Sequence, residues 1–358
     1  MNKKIINFFR EDINSLSEYE VLDSKNMIKL DAMENPYDIE VKLEMDINQN
    51  WQENVNLNRY PDADCQNLKK NLLKNYSLNE DYDFIVGNGS DELIQIIFHA
   101  FLKPENIVLL PKPSFSMYKK IAQVVGLRFE EILLKDNFAL DINLMLKKIE
   151  ELNPALIFLA YPNNPTGNLW DKEDIKKILL KANGLVIIDE AYEAFSGKSF
   201  IDQLKDFDNL LIMRTLSKIG FAGIRLGYLF GQKYIIRELN KLRLPFNINS
   251  VSQKMSHIYF KNNSFFCDQA EEIIKNREYL QDEMTKIQHI KVYKSKTNFI
   301  LFKVLKNSAD QIFNDVLSDK ILIKNMTETP GLENCLRVTV GTREECDLFI
   351  QSLKNSLI

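Results

Sequence analysis

The stretch RTLSKIGFAGIRLGY, residues 214–228, follows an apolar run and gathers Ser217, Lys218 and Arg225 around a turn that contains glycine. A lysine amine placed there can form an imine with an aldehyde cofactor, while a hydroxyl donor and a forked guanidinium suit a phosphate. The plainer reading is a surface lysine beside a core arginine, since a motif this short recurs by chance. A second run, LVIIDEAY, ends on Asp189 and places Tyr192 three residues on. An acid at the end of a buried strand needs a partner. A pyridinium nitrogen would supply it, kept protonated by the carboxylate so that the ring draws electrons from a carbanion. Tyr192 could then bond the ring's phenolic oxygen and help set the pKa of the imine. Helix capping is the competing role for Asp189.

Two further motifs fit the same chemistry. In AYPNNPTGN (160–168), Pro162 and Pro165 stiffen a turn and Gly167 permits a conformation that other residues avoid. Asn164, held between the prolines, would be a fixed amide donor to the same phenolic oxygen, although the segment could simply be a loop. In GNGSDE (87–92), Gly89, Ser90 and Asp91 would offer backbone N–H groups at a helix start to a phosphate. The third glycine of a dinucleotide fingerprint is replaced by Glu92, and no GxxxxGK[ST] stretch occurs, so neither a nicotinamide nor a P-loop nucleotide site is expected.

The elements that must carry these residues read as an α/β fold. From about residue 84, the runs FIVG, NIVLLP, RFEEILL, LIFLAYP, LVIIDEAY, NLLIMRT and RLGYLFG alternate with amphipathic stretches. Several are apolar throughout, as strands covered on both faces are, which predicts a mostly parallel central sheet. In the helix after FIVG, Leu93, Ile96, Ile97, Ala100 and Phe101 recur at helical spacing. Past residue 245 a long helical region runs to 285, followed by strands near VYKSKTNFILFKV, ILIKN and CLRVTVG and a closing helix from Arg343. The expected division is a large domain over 31–245 and a smaller α/β domain over 246–358. The boundary falls near LPFNINS, and residues 1–30 form an arm on the smaller domain.

Composition narrows the partners. With 46 Lys plus Arg against 50 Asp plus Glu, the net charge of -4 makes nucleic acid a poor partner. Arg10, Glu11 and Asp12 interrupt the first apolar residues, and runs such as ALIFLA are too short to cross a bilayer, so no membrane and a cytoplasmic location are expected. Cys65, Cys267, Cys335 and Cys346, like His99, His257 and His289, lack metal-ligand spacing and read as structural, with no metal site.

With the four motifs in this order, the chain resembles the fold type I pyridoxal-phosphate enzymes and, among them, the histidinol-phosphate aminotransferases. The likeness extends through DAMENPY (31–37), LNRYPD (57–62), TNFIL (297–301) and CLRVTVGTREE (335–345). It implies a large domain around the central sheet and a smaller C-terminal domain. Lys218 would hold pyridoxal 5'-phosphate as a Schiff base and then move the proton between substrate and cofactor carbons. Asp189 would pair with the ring nitrogen, and Asn164 and Tyr192 with the ring hydroxyl. The phosphate would fall to Gly89, Ser90, Asp91, Ser217 and Arg225. Phe115, in PKPSFSMY, stands where the family stacks an aromatic ring on the cofactor. Tyr60 resembles the tyrosine that reaches the neighbouring subunit's phosphate, which implies a homodimer with shared sites.

Arg337 would receive the substrate's anionic end, with Tyr19 and Asn164 helping. Lys324 occupies the place of a second arginine and offers a point charge instead of a fork. The interval from Lys218 to Arg225 is one residue shorter than in many relatives, which predicts a tighter loop. The reaction implied is transamination of L-histidinol phosphate with 2-oxoglutarate, giving imidazole acetol phosphate and L-glutamate in histidine biosynthesis. An aromatic-amino-acid aminotransferase or an amino-acid-phosphate decarboxylase on the same scaffold is the alternative. A cofactor-fold regulatory domain is disfavoured because no basic DNA-binding segment precedes the core.

Overall fold

The computed structural model describes residues 8–16, 18, 22–38, 43–46, 48–49 and 56–357. A short strand, β1 (Ile28–Lys29), precedes the seven strands of the main sheet. These are β2 (Tyr82–Asn88), β3 (Ile107–Lys112), β4 (Arg128–Leu133), β5 (Leu156–Ala160), β6 (Leu185–Asp189), β7 (Leu210–Thr215) and β8 (Leu226–Gln232). Their order is β2-β8-β7-β6-β5-β3-β4. Strands β3 to β7 run parallel, and β8 runs antiparallel to both its neighbours. Residues 216–225, which join β7 to β8, are too few for a parallel crossover, so the chain has to turn back on itself.

Side-chain alternation accounts for the unbroken apolar runs. Ile157 and Leu159 enter one core with Ile188 and Ile212, while Leu156, Phe158 and Ala160 enter a second with Ile187 and Met213. Both faces of the sheet are therefore covered, and each fully buried leucine or isoleucine contributes roughly 1.5–3 kcal/mol. The Gly89–Ala100 helix buries Leu93, Ile96 and Ile97 as the spacing predicts. Ala100 itself faces solvent, and Phe101 is the C-cap, partly buried against the same core.

The later part of the chain builds a second sheet from β9 (Ile290–Val292), β10 (Phe299–Val304), β12 (Lys324–Asn325) and β13 (Cys335–Thr339), antiparallel in the order β12-β13-β10-β9. Its remaining strand, β11 (Ile321–Leu322), pairs in parallel with β1. The long helical region is two helices, Ser250–Lys261 and Asn263–Thr285. They part at Asn262, whose backbone leaves helical angles (φ -111°, ψ 31°) and whose side-chain amide donates to the Ile258 carbonyl at 3.0 Å. The closing helix, Arg343–Ser356, starts on a capping box between Thr342 and Glu345.

Residues 28–33 lie along this second sheet. Leu30 accepts a hydrogen bond from the Thr339 amide at 2.8 Å, the Met33 amide donates to Thr339 Oγ1 at 3.0 Å, and Asn298 donates to the Met33 carbonyl at 2.9 Å. Arg10 instead reaches the Gln123 carbonyl on the Ser116–Val125 helix. The described N-terminal residues thus divide their contacts between the two sheets' halves. No described helix is long and apolar enough to cross a membrane.

Candidate active site

A cavity opens at the carboxyl ends of β5, β6 and β7, the edge at which parallel sheets present their loops to ligands. Ala160, Asp189 and Thr215, the last residues of those strands, all line it. Asp189 is buried. Its Oδ2 accepts from the Tyr118 hydroxyl at 2.6 Å and its Oδ1 from the Ala191 amide at 3.0 Å. Burial pushes the carboxyl up to about 6, against the pull of those two bonds.

Opposite stands Lys218, partly buried, with Nζ donating to the Ala32 carbonyl at 3.2 Å. Burial, and then the guanidiniums of Arg337 and Arg225, push its ammonium down to about 8, with Glu34 and Asp91 opposing. Roughly one amine in ten is then neutral at pH 7, a useful fraction for a nucleophile or base.

Three side chains from three elements form a chain of hydrogen bonds beside this pair. Tyr192 Oη accepts from Asn164 Nδ2 at 3.2 Å, and Asn164 Oδ1 accepts from Arg337 at 2.6 Å. Arg337, on β13, also donates to the Asp31 carbonyl at 2.9 Å and lies over the Phe299 ring at 5.2 Å. Asn163 anchors the loop beneath by donating to the Pro113 carbonyl and accepting from Ser114. Asn164 is thus fixed with its carbonyl toward the second sheet and its amide toward Tyr192.

At the other end, Gly89, Ser90 and Asp91 open the Gly89–Ala100 helix, with Gly89 at φ +77°. That left-handed angle favours glycine, and a Cβ there would stand 2.7 Å from the Arg225 guanidinium, which would have to swing aside. Arg225 follows a short 3-10 turn, Ala222–Ile224, and takes φ +53°. Its guanidinium stands 3.5 Å from both Ser217 Oγ and Asp91 Oδ2. Thr215 Oγ1 accepts from the Ser217 amide at 3.1 Å and holds that turn. Asp91 Oδ1 is buried with no hydrogen-bond partner among the described residues, and burial raises its carboxyl above the usual range.

The structure therefore brings Ser90, Asp91, Phe115, Asn164, Asp189, Tyr192, Ser217, Lys218 and Arg225 to one cavity, with Gly89 and Arg337 in contact with its lining. Two sequence-predicted residues lie elsewhere. Tyr60 is 82% exposed and stacks on Phe246 at 4.6 Å, away from the cavity. Lys324 is exposed on β12, across from Arg337 in register but outside the lining. Tyr19 falls outside the described residues. Sequence reasoning missed Tyr118 and Thr215. The signal for Tyr118 was present: it stands one helical turn beyond Phe115, and its ring meets that phenylalanine edge-on at 5.4 Å.

An amine, a buried acid and an anion cradle at the carboxyl edge of a mostly parallel sheet define an enzyme of group transfer. The model for aminotransferases of class I and II matches residues 25–353, and the chain belongs to that family. Within it, the chain is 44% identical over 355 residues to "Histidinol-phosphate aminotransferase 2" of Nitrosococcus oceani, covering 98% of each. Among solved structures, the histidinol-phosphate aminotransferase of Clostridium acetobutylicum aligns with TM-score 0.85 and 26% identity, over 92% of this chain and 98% of that one. The fold is also that of the histidinol-phosphate aminotransferase of Sinorhizobium meliloti, solved with pyridoxal-5'-phosphate, at TM-score 0.86 and 19% identity over 98% and 97%.

Proposed function

We propose that the chain is a cytosolic, pyridoxal-phosphate-dependent transaminase that exchanges the amino group of L-histidinol phosphate with 2-oxoglutarate, a step of histidine biosynthesis. The observation that carries the reading is a buried lysine amine with a lowered proton affinity, sharing one cavity with a buried acid, in a chain 44% identical to a relative named for this activity.

The residues present fit the cofactor. Asp189 is buried with only neutral donors hydrogen-bonded to it among the described residues, so a cationic ring nitrogen would complete it. Ser217, Arg225 and the amides of Gly89, Ser90 and Asp91 suit a phosphate, and Asn164 with Tyr192 suits the ring hydroxyl. When bound, pyridoxal phosphate supplies an electrophilic aldehyde and an electron-withdrawing ring.

The protein's own groups do the rest. Lys218 Nζ would provide the amine and then take the proton from the amine-bearing carbon of the donor and pass it to the cofactor's aldehyde carbon, with the reverse transfer for the acceptor, which its lowered pKa permits near neutrality. Arg337 receives the anionic end of either substrate, the phosphate of one or a carboxylate of the other, because both ask for the same fork. The aromatic wall of Phe115 and the buried Tyr192 keep water from the reacting carbon.

A homodimer completes the reading. Tyr60 and Phe246 form an exposed stacked pair, with Leu57 and Leu244 also exposed nearby in sequence. Such an apolar strip suits a second copy of the chain, to which Tyr60 would lend its hydroxyl.

The test is a spectral titration of the cofactor-loaded protein with L-histidinol phosphate, and with phenylalanine in parallel. Loss of the pyridoxal absorbance at much lower histidinol phosphate is the expected result. A preference for phenylalanine would move the enzyme to the aromatic branch, and release of carbon dioxide from an amino-acid phosphate would move it to the decarboxylases.

A further inference from the structure

Asp189 is the acid on which the cofactor reading turns, yet its orientation is set by a residue with no assigned part. The Tyr118 hydroxyl donates to Oδ2 at 2.6 Å, and the phenol is only 1% exposed. Its ring is held between Phe158, at 5.0 Å, and the edge of Phe115, at 5.4 Å. Phe115 caps the Ser116–Val125 helix and Tyr118 lies in its first turn, so one helical turn sets both a cavity wall and the carboxylate behind it. The only other hydrogen bond to Asp189 among the described residues comes from the Ala191 amide on Oδ1. Without the phenol, Oδ2 would be a buried acceptor that lacks a donor, and the acid would take up a proton instead.

We propose that Tyr118 is a positioning residue for the cofactor ring: by donating to Oδ2 it keeps the Asp189 carboxylate charged and aimed into the cavity, where it can pair with a cationic ring nitrogen. The inference rests on the reading of this cavity as a pyridoxal-phosphate site. Other groups around Asp189 work against its charge. Asp91 on the Gly89–Ala100 helix and Glu190 next in the chain both favour protonation, and Tyr192 in the following turn is coupled to the same carboxylate. Among the described residues Tyr118 is therefore the one side chain whose hydrogen bond offsets burial and those neighbours.

The experiment measures dissociation constants of the apoprotein for pyridoxal phosphate and for its 1-deaza analogue, in which CH replaces the ring nitrogen. Wild type and Tyr118→Phe are compared across pH. With the hydroxyl gone, Asp189 should hold its proton to higher pH in the apoprotein, so pyridoxal phosphate should bind about tenfold more weakly near pH 7 and recover toward pH 9. Binding of the analogue should be nearly unchanged, because it has no nitrogen to pair. Equal weakening for both compounds would reduce Tyr118 to packing and overturn the proposal, as would no weakening for either. A double-mutant cycle gives a second reading: in an Asp189→Asn background, Tyr118→Phe should add nothing, and additive losses would overturn the proposal. A wild-type protein that takes up neither compound would instead overturn the cofactor reading, and this inference with it.

Discussion

In the proposed reaction Lys218 bears the heaviest chemical demand, and its surroundings say how it would meet it. A single carbonyl, that of Ala32, holds the amine, while burial and two guanidiniums lower its affinity for protons. Lys218→Ala should therefore reduce turnover by at least about a thousandfold while leaving the far-ultraviolet circular dichroism unchanged, because removing a partly buried amine spares the backbone hydrogen bonds that the spectrum reads. Steady-state assay beside the spectrum checks both halves. Asp189 supports a second prediction, on pH. Its carboxyl is raised from 3.8 to about 6, so the folded apoprotein binds the proton more tightly than the unfolded chain. The stability this contributes is fully present below the lower value and is lost as pH rises through the upper one. Relative to wild type, apo Asp189→Asn should thus gain about 2 kcal/mol on going from about pH 4.5 to about pH 8, read from urea unfolding. Much of the site was legible at this scale because SK, DEAY, NNPTG and GNGSD each pair a reactive or polar residue with a strand end. Tyr118 was not, since attention to Phe115 as a ring-stacking residue passed over its neighbour one turn away. The carbonyls of Asp31 and Ala32, which hold Arg337 and Lys218, are main-chain atoms that no residue type announces.

At the scale of elements, the proposed phosphate cradle depends on how closely β8 passes the start of the Gly89–Ala100 helix. A Cβ on Gly227 would fall 2.6 Å from the Gly89 carbonyl carbon. Backbone cannot rotate aside as a side chain can, so Gly227→Ala should cost about 1–3 kcal/mol and lower cofactor affinity together. A urea midpoint and a cofactor titration on the same preparation decide it; lost stability with unchanged affinity would detach the cradle from this strand. The parallel strands were legible from their apolar runs. The reversal of β8 was not read, although the short span after β7 excludes a crossover. The helical stretch after residue 250 gave no warning of its break, because Asn262 is tolerated in helices and only its local bonding ends one there.

For the whole molecule, the proposed sharing of Tyr60 between subunits yields a complementation test. Lys218→Ala and Tyr60→Ala chains, each impaired alone, should regain activity when unfolded and refolded together, since a mixed dimer would contain one site with both residues intact. No recovery would place Tyr60 outside the neighbour's site. Among the described residues the exposed stack with Phe246, flanked in sequence by Leu57 and Leu244, is the hint of this role, and no period or motif in the sequence specifies where a second copy sits. The seating of residues 28–33 along the second sheet has a consequence of another kind. Ribosomes release the N-terminus first, but β1 finds its partner only when residues 321–322 emerge, and Leu30 only when Thr339 does. At ordinary rates of synthesis that delay is roughly 15–60 s. Until then Ala32 and Asp31 cannot hold the lysine and the arginine, so a nascent or prematurely terminated chain has no assembled site. Translation products that end before Thr339 should be inert toward substrate in an activity assay.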